Sequence, residues 1–183
     1  MHTDDLLHSL RKHDCHDEDE ARHCAEIIAF TEGNRDCWWR RSTLAGHITA
    51  SAWIVNSART HALLLHHAKL DRWLQPGGHL DDSDGTPATG ALRESNEETG
   101  LLSLTLASEK LFDVDVHAIP ARAAEPAHLH YDLRYLIISD DSAVTISNES
   151  HGAKWLEIAE LATEKFERSI ARMAEKTLEN HST

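Results

Sequence analysis

The segment from Gly77 to Leu101 leaves itself few structures to adopt. Thr86-Pro87 reads as a helix N-cap followed by proline at the first helical position, and Gly100 as the residue just past the helix C-terminus. Between them Ala88, Ala91, Leu92, Ser95 and Thr99 form one face, which the spacing predicts to be buried. Glu94, Glu97 and Glu98 stand at i, i+3 and i+4, so they share another face, turned toward the loop at Gly77-Gly78. Three like charges so placed repel and weaken the helix that carries them. A hard divalent cation, which takes oxygen ligands, removes that penalty. Arg93 and Glu97 are i and i+4, so the arginine can hold a carboxylate in position. The array points to metal-assisted phosphate chemistry.

Elements on either side are legible by period. Leu6, Leu7 and Leu10 make a short helical stripe. Ala21, Cys24, Ile27 and Ile28 make a second, with Asp17 to Glu20 at its start, where the helix dipole favours negative charge, and Gly33-Asn34 at its end. From about Gly46 the texture changes to strands. Ile48–Val55 and Ala62–Leu65, joined through Asn56-Ser57, read as a hairpin. Lys110 to Ile119 alternates, with Phe112, Val114 and Val116 on one side and Asp113, Asp115 and His117 on the other. His128 to Ile138 alternates too and turns apolar toward its end, as a strand entering the interior does. A closing helix is predicted over 164–180, with Phe166, Ile170, Met173 and Ala174 on one stripe. Helices, strands, one helix, strands and a helix predict an α+β chain with a mixed sheet and helices on both faces.

The stretch Gly78 to Leu101 resembles the signature of the Nudix hydrolase family: G, five residues, E, seven residues, then R-E-U-x-E-E-x-G-U, with U a bulky aliphatic. Gly78 is the opening glycine, and Arg93, Glu94, Glu97, Glu98, Gly100 and Leu101 match the second half residue for residue. Three departures stand out. The interval from Gly78 to Arg93 is one residue longer, no glutamate sits in its middle, where Asp84 is the nearest acid, and the first aliphatic position is Ser95. Ser95 predicts looser packing of the helix, and Gly90 a close approach of the helix to a strand.

The resemblance implies a Nudix-like α/β/α sandwich over residues 44–183, with residues 1–43 as an N-terminal helical extension that either packs on the main domain or contributes to a homodimer contact. It implies Mg²⁺ (or Mn²⁺) held by Glu94, Glu97 and Glu98, by the carbonyl of Gly77, and by a later acid, for which Glu149, six residues before Trp155, is the candidate. The implied reaction is attack of activated water on phosphorus in a diphosphate linkage of a nucleoside diphosphate derivative, with Glu149 or Glu94 as base and Arg93 orienting the glutamates. A ligand-binding module of the same fold without turnover is the alternative. Isopentenyl diphosphate isomerases share the fold, but their catalytic cysteine precedes the glycine-histidine pair, where this chain has Gly77, and no cysteine follows Cys37.

Composition limits the partners. The formal net charge of −13 over 183 residues disfavours nucleic acid and anionic membrane, both of which need a basic patch. It leaves a small phosphorylated substrate open, because a bound metal inverts the local sign. Lys69, Arg72 and Arg134 are the candidate cations for terminal phosphates. His47 and His79 are placed to face one cleft, and His128, His130 and Asp132 share a strand face, where they contact substrate or ring a second metal. Cys15, Cys24 and Cys37 are odd in number and lack a C-x-x-C pair, so reduced thiols and a cytoplasmic setting are expected. The acidic start, Met1 to Asp5, lacks the layout of a secretory signal.

Overall fold

The computed structural model describes residues 2–43, 45–121, 126–141, 143–148 and 150–179. In chain order the elements are α1 (Thr3–Arg11), α2 (Glu18–Gly33), β1 (Gly46–Val55), β2 (His61–His67), β3 (Arg72–Leu74), β4 (Gly77–His79), α3 (Pro87–Thr99), β5 (Thr105–Leu106), β6 (Asp113–Ile119), β7 (His128–Ile138), β8 (Ser150–Glu157), α4 (Ile158–Leu161) and α5 (Arg168–Glu179). The closing helix begins at Arg168 rather than Glu164, because α4 and a turn occupy the preceding residues.

β1 is buried along its whole length and organises the sheet. On one side it runs parallel to β7, from Gly46 opposite Leu129 to Val55 opposite Ile138. On the other side it is antiparallel to β4 near its start and to β2 at its end. The expected hairpin is therefore real but short: Val55 pairs with Ala62, after which β2 turns away to pair with β3 and β8. β7 is flanked by β6 along its first half and β5 along its second. The mixed sheet is sandwiched between helices, as an α/β/α architecture requires.

Alternation along β1 sorts the two faces. Ile48 and Ala50, with Tyr131 and Leu133, pack against Ala88 and Ala91 of α3 and against Leu10, Cys24, Ile27 and Phe30 of α1 and α2. Phe30 stacks on Tyr131 with ring centroids 4.1 Å apart. Trp53 and Val55 face the other way, against Ile158 and Leu161 of α4 and Ile170, Met173 and Ala174 of α5.

The α5 face is apolar only at one end. Toward the start of β1 it carries Ser51, Arg134 and Asp113 in one row, then Thr49, Asp132 and Asp115, then His47, His130 and His117. Most of these polar groups are buried, and the charged ones are matched. Arg134 donates to Asp113, Asp115 and Asp132 at 2.9–3.2 Å. Arg172 of α5 donates to both oxygens of Asp113 at 2.7 and 2.9 Å. Lys176 bridges Asp113 and Glu20. Glu20, at the start of α2, also accepts from His13 Nε2 at 2.7 Å and from the N–H of Val114 at 3.3 Å on the free edge of β6. The N-terminal helices are thus tied to both α5 and the sheet by charge as well as by packing. Among the described residues no helix is long and apolar enough to cross a membrane.

Candidate active site

α3 has the ends its sequence prescribes. The Thr86 hydroxyl accepts from the N–H of Thr89 at 3.2 Å, Pro87 opens the helix, and the N–H of Gly100 donates to Asn96 at 2.8 Å. Ser95, at the position where the signature has an aliphatic, is fully buried and donates to the carbonyl of Ala91 at 2.6 Å. Its hydroxyl is satisfied inside the helix, so the small side chain leaves no stranded polar atom. The close approach at Gly90 is to the loop rather than to a strand: a Cβ there would lie 2.4 Å from Leu80 Cδ2 and 3.0 Å from Asp84 Oδ2.

Arg93 gathers this side of the site. It donates to Asp84 through Nε at 2.8 Å and Nη2 at 2.9 Å, to Glu94 at 2.9 Å, to Glu97 at 3.2 Å and to the carbonyl of His79 at 2.9 Å. Asp84 is buried and also accepts from the N–H of Asp81 at 2.7 Å. Burial raises its pKa, but Arg93 and that N–H outweigh burial and hold its carboxyl below the usual carboxylate range. The lengthened loop therefore does contain an acid that anchors the arginine. In the sequence it stood only as the acid nearest to a missing glutamate, and its one signal was its place nine residues before Arg93.

β4 approaches the glutamates through two glycines. A Cβ on Gly78 would lie 2.7 Å from Glu94 Oε2, so the absent side chain makes room for the carboxylate. Gly77 donates its N–H to Glu98 at 2.9 Å. Its φ of +154° and the Cα of Ser51, 2.5 Å from where its Cβ would be, both demand glycine. Burial raises the pKa of Glu94; the charges of Glu97 and Asp84 act the same way, while Arg93 opposes them. An oxygen-donor set with more carboxylate charge than a single guanidinium offsets suits a hard divalent cation. Glu94 meets the glycine turn at Gly78 and Glu98 meets it at Gly77, while Glu97 is held by Arg93.

The other predicted residues fall into three groups. His47, His79 and His130 come together on the α5 face, with ring centroids 4.8–5.1 Å apart. Burial, and then the neighbouring His117, His79, His47 and His128, push His130 down to about 2. Arg134 does not serve as a phosphate ligand: it is buried, and its guanidinium is committed to three carboxylates. Arg72 is exposed and pairs with Glu167 at 2.7 Å, and Lys69 lies exposed in the turn between β2 and β3. Glu149 lies outside the described residues.

A mixed sheet between helices thus carries an arginine-pinned pair of glutamates beside a glycine turn. The chain belongs to the NUDIX domain family, whose match spans residues 46–176. Its structure resembles a NUDIX-family hydrolase from Clostridium perfringens at 27% identity and a TM-score of 0.56, over 74% of this chain and 97% of that one. The Ap4A hydrolase of C. elegans, in a binary complex, aligns at 20% identity and a TM-score of 0.54, over 74% and 97%. The dihydroneopterin triphosphate pyrophosphohydrolase of E. coli aligns at 16% identity and a TM-score of 0.52, over 73% and 95%. At those identities the last two establish the fold alone. No curated protein shows significant sequence similarity to this chain.

Proposed function

We propose that this protein hydrolyses a diphosphate linkage in a nucleoside diphosphate derivative, using Mg²⁺ or Mn²⁺. The observation that supports this reading is the approach of Glu94 and Glu98 to Gly78 and Gly77, with Glu97 held by Arg93 and Arg93 pinned by Asp84. Glu94, Glu97, Glu98 and the carbonyl of Gly77 would hold the metal, which would supply Lewis-acid activation of water and charge neutralisation at the leaving phosphate. Arg93 fixes the carboxylates of Glu94 and Glu97, and Asp84 fixes Arg93. The oxygen of water bonds to phosphorus, the bond from that phosphorus to the bridging oxygen breaks, and a proton passes to Glu94 or Glu149. Both fragments leave bearing phosphate.

The test is turnover by the full chain, with Mg²⁺ or Mn²⁺, on nucleoside diphosphate sugars, nucleotide cofactors, dinucleoside polyphosphates and nucleoside triphosphates. Relatives of this fold named for Ap4A and dihydroneopterin triphosphate place polyphosphate compounds in the panel. Hydrolysis of at least one class is expected, lost on adding chelator and lowered by orders of magnitude in Glu98→Gln with the fold retained. Hydrolysis unchanged in excess chelator rules out the metal role. No turnover across the panel makes the chain a ligand-binding module instead.

A further inference from the structure

Five histidines converge on the sheet face opposite α3. Register explains how. β7 sets His130 opposite His47, β6 sets His117 opposite His130, and β4 sets His79 opposite Thr49, two residues along from His47. Directly paired residues share a face, so four strands deliver their imidazoles to one place. His128, two residues before His130 on β7, joins them, its Nε2 lying 3.3 Å from Nε2 of His130. One ring nitrogen from each of His47, His79 and His130 lies within 4.8 Å of the other two. His47 is buried while His79 and His130 are half-buried, so the cluster has a solvent side from which an ion can enter.

We propose that His47, His79 and His130 form a binding site for a zinc-class transition metal, separate from the glutamate site on α3. The donor chemistry separates the two. Imidazole nitrogens select zinc, copper or nickel, whereas the carboxylates of Glu94, Glu97 and Glu98 suit magnesium or manganese. The geometry is within reach. Zinc–nitrogen bonds of about 2.0–2.1 Å in tetrahedral array place the nitrogens about 3.3 Å apart. Nitrogens within 4.8 Å close that gap by turning the rings about their side-chain bonds, with the strands left in place. Three histidines leave a fourth position open, and His128 is the nearest imidazole to fill it.

The site also bears on the glutamates. β4 lies between the two donor sets: Gly78 meets Glu94 on one face, and His79 turns its ring to the other. The carbonyl of His79 accepts from Arg93 at 2.9 Å. An ion on His79 therefore ties β4 to β1 and β7 at the point where the glycine turn meets the catalytic helix.

The test is a metal titration of the full chain that does not depend on turnover. The protein is stripped with chelator, exchanged into excess Mg²⁺ to occupy the glutamates, and titrated with Zn²⁺ by calorimetry, with Co²⁺ as a spectroscopic probe. One equivalent of Zn²⁺ per chain and a Co²⁺ visible spectrum of low-coordinate, nitrogen-rich type are expected. Both weaken on the order of 100-fold or more in His79→Gln and in His130→Gln, and both survive in Glu98→Gln. The two substituted histidines are half-buried, and circular dichroism checks that each variant is folded. The site is overturned by stoichiometric zinc that survives both histidine substitutions, by zinc lost in Glu98→Gln, or by a wild-type chain that takes up no zinc.

Discussion

Lys176 is where a single substitution tests how the N-terminal helices are held. Its ammonium lies between Glu20 and Asp113, both fully buried, and also donates to the carbonyl of Phe112 at 2.8 Å. In this network Glu20, Asp113, Asp115, Asp132 and Asp17 face the permanent cations Lys176, Arg134 and Arg172. Lys176→Met removes one cation and leaves Glu20 and Asp113 as buried charges with less to balance them. Breaking one partner out of a buried pair costs roughly 3–5 kcal/mol, and the lower end applies because the lysine side chain retains 8% exposure. We expect about 3 kcal/mol at pH 7, read from urea unfolding followed by fluorescence of the buried Trp38 and Trp53. Adding Glu20→Gln to Lys176→Met restores part of the loss, because the uncompensated carboxylate is gone.

The pH dependence has a definite sign. Burial raises the pKa of Glu20, but His13, Lys176 and the N–H of His16 outweigh it and hold the carboxyl well below the ordinary range. A depressed folded pKa contributes stability above the unfolded value of about 4.3, lost as pH falls toward the folded one. Without Lys176 the folded pKa of Glu20 rises, so the variant loses less stability on acidification. The difference between wild type and Lys176→Met therefore narrows below about pH 4.5. A cost under about 1 kcal/mol at pH 7, strict additivity of the two substitutions, or a gap that widens in acid would each refute the reasoning.

Two further substitutions probe the site. Gly77→Ala places a Cβ 2.5 Å from the Cα of Ser51 at a φ of +154°, and should cost about 3 kcal/mol, or about 6–12 °C in melting temperature by calorimetry. A melting temperature within a degree of wild type would mean that β4 relaxes freely. Asp84→Asn removes the charge that Arg93 grips with two nitrogens; kcat on the hydrolysed substrate should fall on the order of 10- to 100-fold with KM little changed, and an unchanged kcat would show that Arg93 needs no anchor.

The amino-acid sequence by itself determined the local elements and the glutamate array. Thr86, Pro87 and Gly100 bound α3 because capping is settled within a few residues of the chain. The alternation from His128 to Ile138 marks β7 residue for residue, because period two is a property of the strand alone. The order Arg93-Glu94-x-x-Glu97-Glu98 places its carboxylates on one helix face whatever surrounds it.

Only the tertiary structure decided what covers each face and which strands meet. Asp113 and Asp115 alternate with valines as residues on a solvent face do, yet they are buried beside Arg134, Arg172 and Lys176, which arrive from elsewhere in the chain. For the same reason Arg134, a phosphate candidate by composition, is a core cation. His47, His79 and His130 lie more than thirty residues apart in sequence and meet only because β1 pairs in parallel with β7 and antiparallel with β4. Period reports which residues share a face. The partner of that face depends on long-range packing, which no local pattern encodes.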